Sequence, residues 1–215
     1  MYSRIFCTII LLSVSCAATP IDLGAASSYA ILAGSAITTS GPVESVVTGD
    51  IGVYPGTSIT GFPIGRQQDL YAQAAQAALT SAYNTAAGLT TNTVLSDQDL
   101  GGMTLLPGVY KFASNAALSS GVLTLDANGD PDATWTFQIG AAILFAADSQ
   151  VVFKDGVGKT EYVYWQVGSS CTVYARATVV GSILAHIAIT VETESTVLGR
   201  LLARGAAVTI VSSVV

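Results

Sequence analysis

The densest set of possible ligands is Asp126-Ala127-Asn128-Gly129-Asp130-Pro131-Asp132. Alternating oxygen donors of this kind could hold a calcium ion. The same stretch carries Asn-Gly and Asp-Pro, both turn dipeptides, and follows the apolar alternation of Val122 to Leu125. A turn is therefore the stronger reading, and neither a metal nor another cofactor is expected. Nucleophilic chemistry would fall to Cys171 with a histidine base, and the chain has one histidine, His186. Alternation in Ser169-Ser170-Cys171-Thr172-Val173 turns Cys171 inward, as an inert core thiol. His186, between Ala185 and Ile187, reads as an exposed corner residue. Glu192 and Glu194 read as outward positions of one strand, with Ser213 rather than an acid one coil later. No carboxylate pair of the glycosidase kind is formed, and the other acids are scattered. The expectation is a protein that is not an enzyme.

Composition points the same way. There are 8 Lys+Arg against 14 Asp+Glu, for a net charge of -6. Charged residues are 10% of the chain, where a soluble domain has about 25%. Hydrophobic residues make up 51%, joined by 23 Thr, 21 Ser and 21 Gly. That excludes a disordered chain. With no basic surplus, a nucleic-acid partner is excluded as well. Met1 to Arg4, the apolar run Ile5 to Val14, and Cys16-Ala17-Ala18 read as a signal peptide, residues 1–18, cut after Ala18. Residues 19–215 would then form a secreted, extracellular domain whose remaining cysteine is Cys171. No membrane contact is expected after cleavage. The most apolar later segment, Phe137 to Phe153, is interrupted by Gln138, Asp148 and Gln150.

The elements that would carry such a surface show as a repeat. At a shift of 18 residues, Val179-Val180-Gly181 falls on Val197-Leu198-Gly199, and Ile183-Leu184-Ala185 on Leu201-Leu202-Ala203. Thr172 falls on Thr190 and, with one inserted residue, Thr190 on Thr209. Upstream, Phe137-Gln138-Ile139-Gly140 matches Trp165-Gln166-Val167-Gly168, with the loop Lys154 to Tyr162 between them. A unit this short has room for three brief strands and no helix, which predicts a three-sided β-solenoid. One segment departs: Arg66 to Ala87 is Ala-, Gln- and Leu-rich without Gly or Pro. It predicts a helix over about 66–87, with Leu70, Ala74, Ala77 and Ala78 on or near its buried face, lying along the stack. The order is an N-terminal β part, a helix and a longer β part from Leu100, as one domain.

These residues carry a resemblance. Leu23-Gly24, Ala30-Ile31-Leu32-Ala33, Thr48-Gly49-Asp50-Ile51-Gly52-Val53, Leu105-Leu106-Pro107-Gly108-Val109-Tyr110-Lys111-Phe112 and Gly199-Arg200-Leu201-Leu202-Ala203 resemble, in order, the microbial ice-binding (antifreeze) protein family. The resemblance implies a mostly β fold. It is a right-handed, three-sided β-solenoid (a discontinuous β-helix) with one long α-helix packed alongside. It also implies that one flat face adsorbs to ice and inhibits ice growth or recrystallisation, the protein acting as a monomer.

Ice is a regular lattice of water without charge. A binder needs a rigid, flat, mildly apolar array with short hydroxyl side chains, and Thr suits this through its methyl, its hydroxyl and its stiff χ1. The family's face tends to carry Thr, a small residue, any residue, then Thr or Asn. Six segments match: Ser35-Ala36-Ile37-Thr38, Thr57-Ser58-Ile59-Thr60, Ala141-Ala142-Ile143-Leu144, Ser169-Ser170-Cys171-Thr172, Ile187-Ala188-Ile189-Thr190 and Ala206-Ala207-Val208-Thr209. The expected ice-contacting residues are Ser35, Ala36, Thr38, Thr57, Ser58, Thr60, Ala142, Ser170, Thr172, Ala188, Thr190, Ala207 and Thr209. Leu144, Ile187 and Ala206 stand where hydroxyls would be. Thr190, between its equivalents Thr172 and Thr209, reads as central. The alternative is an extracellular cell-surface or matrix module using this face on a carbohydrate or protein. No aromatic stands in the column, with Tyr54 and Tyr174 outside it.

Overall fold

Apolar residues at every second position, bounded by Gly- and Asp-rich turns, produce short one-sided strands. The computed structural model describes residues 19–62 and 69–215, so the expected signal peptide lies outside the described residues. The chain begins with β1 (Tyr29–Ala33), β2 (Ala36–Ser40), β3 (Asp50–Val53) and β4 (Ser58–Thr60). Helix α1 (Asp69–Gly88) follows, then β5 (Thr93–Val94), β6 (Thr104–Leu105), β7 (Gly108–Phe112), β8 (Ala116–Leu118) and β9 (Val122–Leu125). Next come β10 (Trp135–Ile139), β11 (Ile143–Phe145) and β12 (Gln150–Phe153). The last strands are β13 (Val163–Val167), β14 (Cys171–Val173), β15 (Thr178–Ala185), β16 (Ile189–Val191), β17 (Thr196–Ala203) and β18 (Val208–Val211).

The strands pair in parallel, in a β-helical stack. A seven-stranded sheet runs β4-β2-β18-β16-β14-β11-β8. The other sheet has 11 strands and a main path β3-β1-β17-β15-β13-β10-β7-β5. In both, the N-terminal strands lie beyond the chain's last strands, β1 on β17 and β2 on β18. The 18-residue repeat is realised over the whole of β15 and β17, from Thr178↔Thr196 to Ala185↔Ala203. Both strands change partner half-way: Gln150 of β12 pairs with Thr178, whereas Tyr164 of β13 pairs with Ser182. The bend lies at Gly181, whose φ is +107°. A Cβ on Gly199, the next residue in that column, would sit 2.0 Å from the Gly181 carbonyl oxygen, so only glycine fits.

Inside the coils, Phe137 and Trp165 stack at 4.0 Å and 9°, and Phe145 meets Trp165 edge-on at 5.1 Å. All three are fully buried, and each such pair adds about 0.5–1.5 kcal/mol beyond its area term. A second apolar cluster joins α1 to the outside of the larger sheet through Ala72, Ala75, Leu79, Ala82, Ala86, Leu32, Tyr164, Leu184 and Leu202. The Gln138 amide donates to the carbonyls of Ala86 and Leu89, each at 2.8 Å, closing the helix C-terminus. At 1.5 Å per residue α1 is about 30 Å long. Six steps of about 4.8 Å across the seven-stranded sheet come to about 29 Å. The helix thus carries the chain from one end of the stack to the other.

Three expectations need correction. The buried helix face is Ala72, Ala75, Leu79, Ala82 and Ala86, whereas Ala74 and Ala77 are exposed and Ala78 is half-buried. Alanines stand on every side of this helix, the exposed side of Gln73, Ser81 and Asn84 included, so alanine positions alone do not select the buried face. The second β part begins at β5, before Leu100. Glu192 and Glu194 do not alternate on a strand: β16 ends at Val191, and Glu194 sits in a turn with φ +61°.

Candidate functional site

The seven-stranded sheet buries every second residue of its strands, and the alternate residues form rows on its outer surface. Pairings Ile59↔Ile37↔Val208↔Ile189↔Cys171↔Ile143↔Ala116 define the inward row. One residue on, the outward row is Thr60, Thr38, Thr209, Thr190, Thr172, Leu144 and Ala117. Its first five members are threonines on adjacent strands, with the Thr60 hydroxyl donating to that of Thr38 at 3.3 Å. Between strands the spacing is about 4.8 Å, and two residues along a strand about 6.6 Å.

A parallel row holds Ser58, Ala36, Ala207, Ala188, Ser170, Ala142 and Asn115, tied by bonds such as Ile189 N–H to the Ala207 carbonyl at 3.1 Å. Ser35 and Thr57, expected on the strands, lie in the bends just before β2 and β4. Both are exposed there. Ser35 remains in a ladder that continues through Ala206, Ile187 and Ser169, with Ala206 N–H donating to Ile187 at 3.0 Å. The fold therefore brings Ala36, Thr38, Ser58, Thr60, Ala142, Ser170, Thr172, Ala188, Thr190, Ala207 and Thr209 into two adjacent rows, bordered by Ser35 and Thr57.

The sequence reading missed the seventh rung, Asn115 and Ala117. Its signal is a 27-residue offset: Phe112 pairs with Ile139, and Ala116 with Ile143. The third residue of that segment is alanine, too small to stand out as an inward position. Flatness ends at this side. Leu144, 38% exposed, stands beside a hollow of about 450 Å³ lined by Asp97, Asp99, Asn115, Ala142, Thr172 and Tyr174. Burial pushes the Asp99 carboxyl up, but its bonds to Ser119 and to the backbone N–H groups of Gly101 and Ser119 outweigh this and hold it below the usual carboxylate range.

The other candidate groups are committed elsewhere. Asn128 and Asp132 backbone N–H groups donate to Asp126 and Asp130, each at 2.9 Å, forming a turn. Lys154 and Lys159 pair with Asp126 and Asp132. Among the described residues, no group of three or more His, Cys, Asp or Glu is placed to hold a metal ion. Cys171 is buried at 1% exposure, and burial pushes its thiol far above the ordinary range. His186 is exposed, beside Arg204 and the Tyr83 ring. No helix among the described residues is long and apolar enough to cross a membrane.

Residues 31–215 match the family described as ice-binding-like. The chain belongs to this family. An ice-binding protein of Nostoc sp. (strain HG1) is 43% identical over 194 residues, spanning 87% of this chain and 70% of the relative. One from Leucosporidium sp. (strain AY30) is 33% identical, over 86% of this chain and 78% of its own. Among solved structures, an ice-binding protein from an Antarctic biological consortium superposes with a TM-score of 0.86 at 38% identity, covering 92% and 91% of the two chains. That from Antarctomyces psychrotrophicus gives 0.83 at 36%, covering 92% and 98%. Such coverage means that the family likeness includes the sheet bearing the threonine row.

Proposed function

We propose that this protein is a secreted ice-binding protein that adsorbs to ice through the outer face of its seven-stranded sheet. Adsorption there inhibits ice growth and recrystallisation. The observation that carries the reading is the uninterrupted row Thr60-Thr38-Thr209-Thr190-Thr172 on an uncharged sheet. Family membership and the ice-binding relatives support it.

The coils are three-sided and right-handed in this proposal. The sheet partners that switch within β15 and β17 supply two sides and the seven-stranded sheet the third. Ser35, Ala36, Thr38, Thr57, Ser58, Thr60, Ala142, Ser170, Thr172, Ala188, Thr190, Ala207 and Thr209 make up the contact surface. Each Thr methyl displaces water while its hydroxyl takes a place in the lattice. No bond is made or broken, and no cofactor takes part. Residues 19–215 act as one domain and as a monomer, after removal of residues 1–18.

The test is recrystallisation inhibition by the secreted chain, with N-terminal sequencing of the product. Slowed ice-grain coarsening and a start at or near Thr19 are expected. Coarsening indistinguishable from a non-binding protein overturns the ice reading, and retention of Met1 overturns secretion. A second reading, a carbohydrate-binding module, has one observation in its favour. Tyr174, 39% exposed, borders the hollow that also holds Asp97, Asp99 and Asn115. Polysaccharide binding abolished by Tyr174→Ala would favour it.

A further inference from the structure

The corner between the larger sheet and the seven-stranded sheet carries two long polar side chains side by side. Ala185 pairs with Ala203, and one residue further on His186 stands beside Arg204 of the next coil. The flanking rungs are bare. Val167 pairs with Ala185 and is followed by Gly168. On the other side, a Cβ on Gly34 would sit 2.4 Å from the Arg204 carbonyl oxygen. Helix α1 closes the corner with Thr80 and Tyr83. Arg204 lies over the Tyr83 ring, 4.5 Å from its centroid. Its Nε–H donates to the Thr80 hydroxyl at 3.4 Å. The result is a hollow of about 360 Å³ lined by Thr80, His186, Ile187, Arg204 and Gly205.

The side chains of this hollow are donors. A guanidinium can only donate, so His186 Nδ1 accepts from Arg204 at 3.4 Å, and in the neutral ring the proton sits on Nε2. Thr80 accepts from Arg204 and keeps its own O–H to give. Both contacts are at the long end of hydrogen bonding, which leaves most of the five guanidinium N–H groups for a ligand. Stacking on Tyr83 fixes the plane of the group without using its N–H edge. Lys154, Lys159 and Arg176 are each paired with an aspartate, whereas among the described residues no carboxylate lies within ion-pair distance of Arg204.

We propose that this corner binds the carboxylate of a small organic acid of about the size of a sugar acid. It does not rest on the ice reading. The planar fork of Arg204 matches a carboxylate through two parallel N–H···O bonds. The hollow falls within the range of small-molecule sites, about 300–1,000 Å³, which gives room for a carbon skeleton behind the charged group. Ile187, 43% exposed, supplies an apolar wall for that skeleton. A long polyanion is disfavoured, because the whole chain carries a net charge of -6. The site is open to solvent, so binding is weak, with a dissociation constant of about millimolar order.

The test titrates the secreted chain, at fixed pH and ionic strength, with glucuronate, sulfate, glucose and a galacturonate oligomer. The chain has one histidine, so the His186 ring gives one set of NMR signals whose shift reports the site. Glucuronate is expected to give a saturable shift and glucose none. Arg204→Gln should weaken glucuronate at least tenfold. Arg204→Lys should weaken it as well, since an ammonium lacks the fork. Thermal melting checks the fold, and Arg204→Lys alone decides if Arg204→Gln unfolds. The proposal is overturned if glucuronate gives no saturable shift, or if the folded Arg204 variants bind it as the parent does. Sulfate binding as tightly as glucuronate overturns it in favour of a simple oxyanion site. An oligomer that binds far more tightly than the monomer overturns it in favour of a polyanion.

Discussion

Thr209→Tyr is the decisive substitution on the threonine-bearing face. Sequence spacing puts Thr190 in the centre, between Thr172 and Thr209. In the stack, Thr38 and Thr60 lie beyond Thr209, so Thr209 is the midpoint of five consecutive threonines. A phenol at this rung projects well past the hydroxyls of Thr38 and Thr190 and holds the lattice off both. Taking about 0.8 kcal/mol for each Thr methyl that loses its contact, three rungs amount to about 2.4 kcal/mol. That corresponds to roughly a fiftyfold loss in adsorption by this face. Stability should scarcely change. Thr209 points outward between the buried Val208 and Ile210, Tyr is a good strand residue, and surface changes cost under about 0.5 kcal/mol. The melting temperature should move by less than about 2 °C. The assay is recrystallisation inhibition across a dilution series, with Gln73→Tyr on the exposed side of α1 as the control. Unchanged inhibition by a folded Thr209→Tyr protein would refute the assignment of the face. A fall of more than about 5 °C in melting temperature would instead refute the outward placement of Thr209.

Leu144→Thr extends the row to a sixth consecutive threonine and should lower the concentration needed for half-maximal inhibition. A higher concentration would show that the apolar side chain itself serves adsorption. The Cys171 thiol, raised by burial, should resist thiol reagents in the native protein and react in full only after denaturation. Fast native labelling counts against its core position. The Arg176 and Lys154 bonds to Asp148 and Asp126 lower the folded carboxyl pKa values. These pairs therefore contribute stability above the unfolded carboxylate pKa, near 4, and lose it as pH falls through the folded values. Both are exposed, so acid should lower the melting temperature only slightly through them. The two rows of the threonine-bearing face carry no titratable group, so inhibition should stay flat from about pH 5 to about pH 9. A transition inside that range would point to a titrating group in the contact.

Much of the fold is legible locally because neighbouring coils repeat one another. The 18-residue offset is the register of β15 on β17, residue for residue. The inward third position of each four-residue segment follows from alternation alone, as does the inward Cys171. The Asn-Gly and Asp-Pro pairs announce the Asp126–Asp132 turn by their own backbone preferences. Each of these depends on residues within one coil or the next.

What the sequence leaves undecided is which coil ends meet. Parallel strand edges present the same ladder of N–H and C=O groups at every coil, so local pairing does not rank the ends. The decision comes from α1, whose length returns the chain to the far end of the stack, and from the cluster that binds Leu32, Leu184 and Leu202 to one side of that helix. Only then does β2 reach β18 and Thr38 fall beside Thr209. The uninterrupted threonine row and its midpoint at Thr209 follow from that non-local closure. The sequence by itself determined the rungs and the type of residue each displays. The tertiary structure decided their order in space, because that order depends on contacts between the two ends of the chain, which no local pattern encodes.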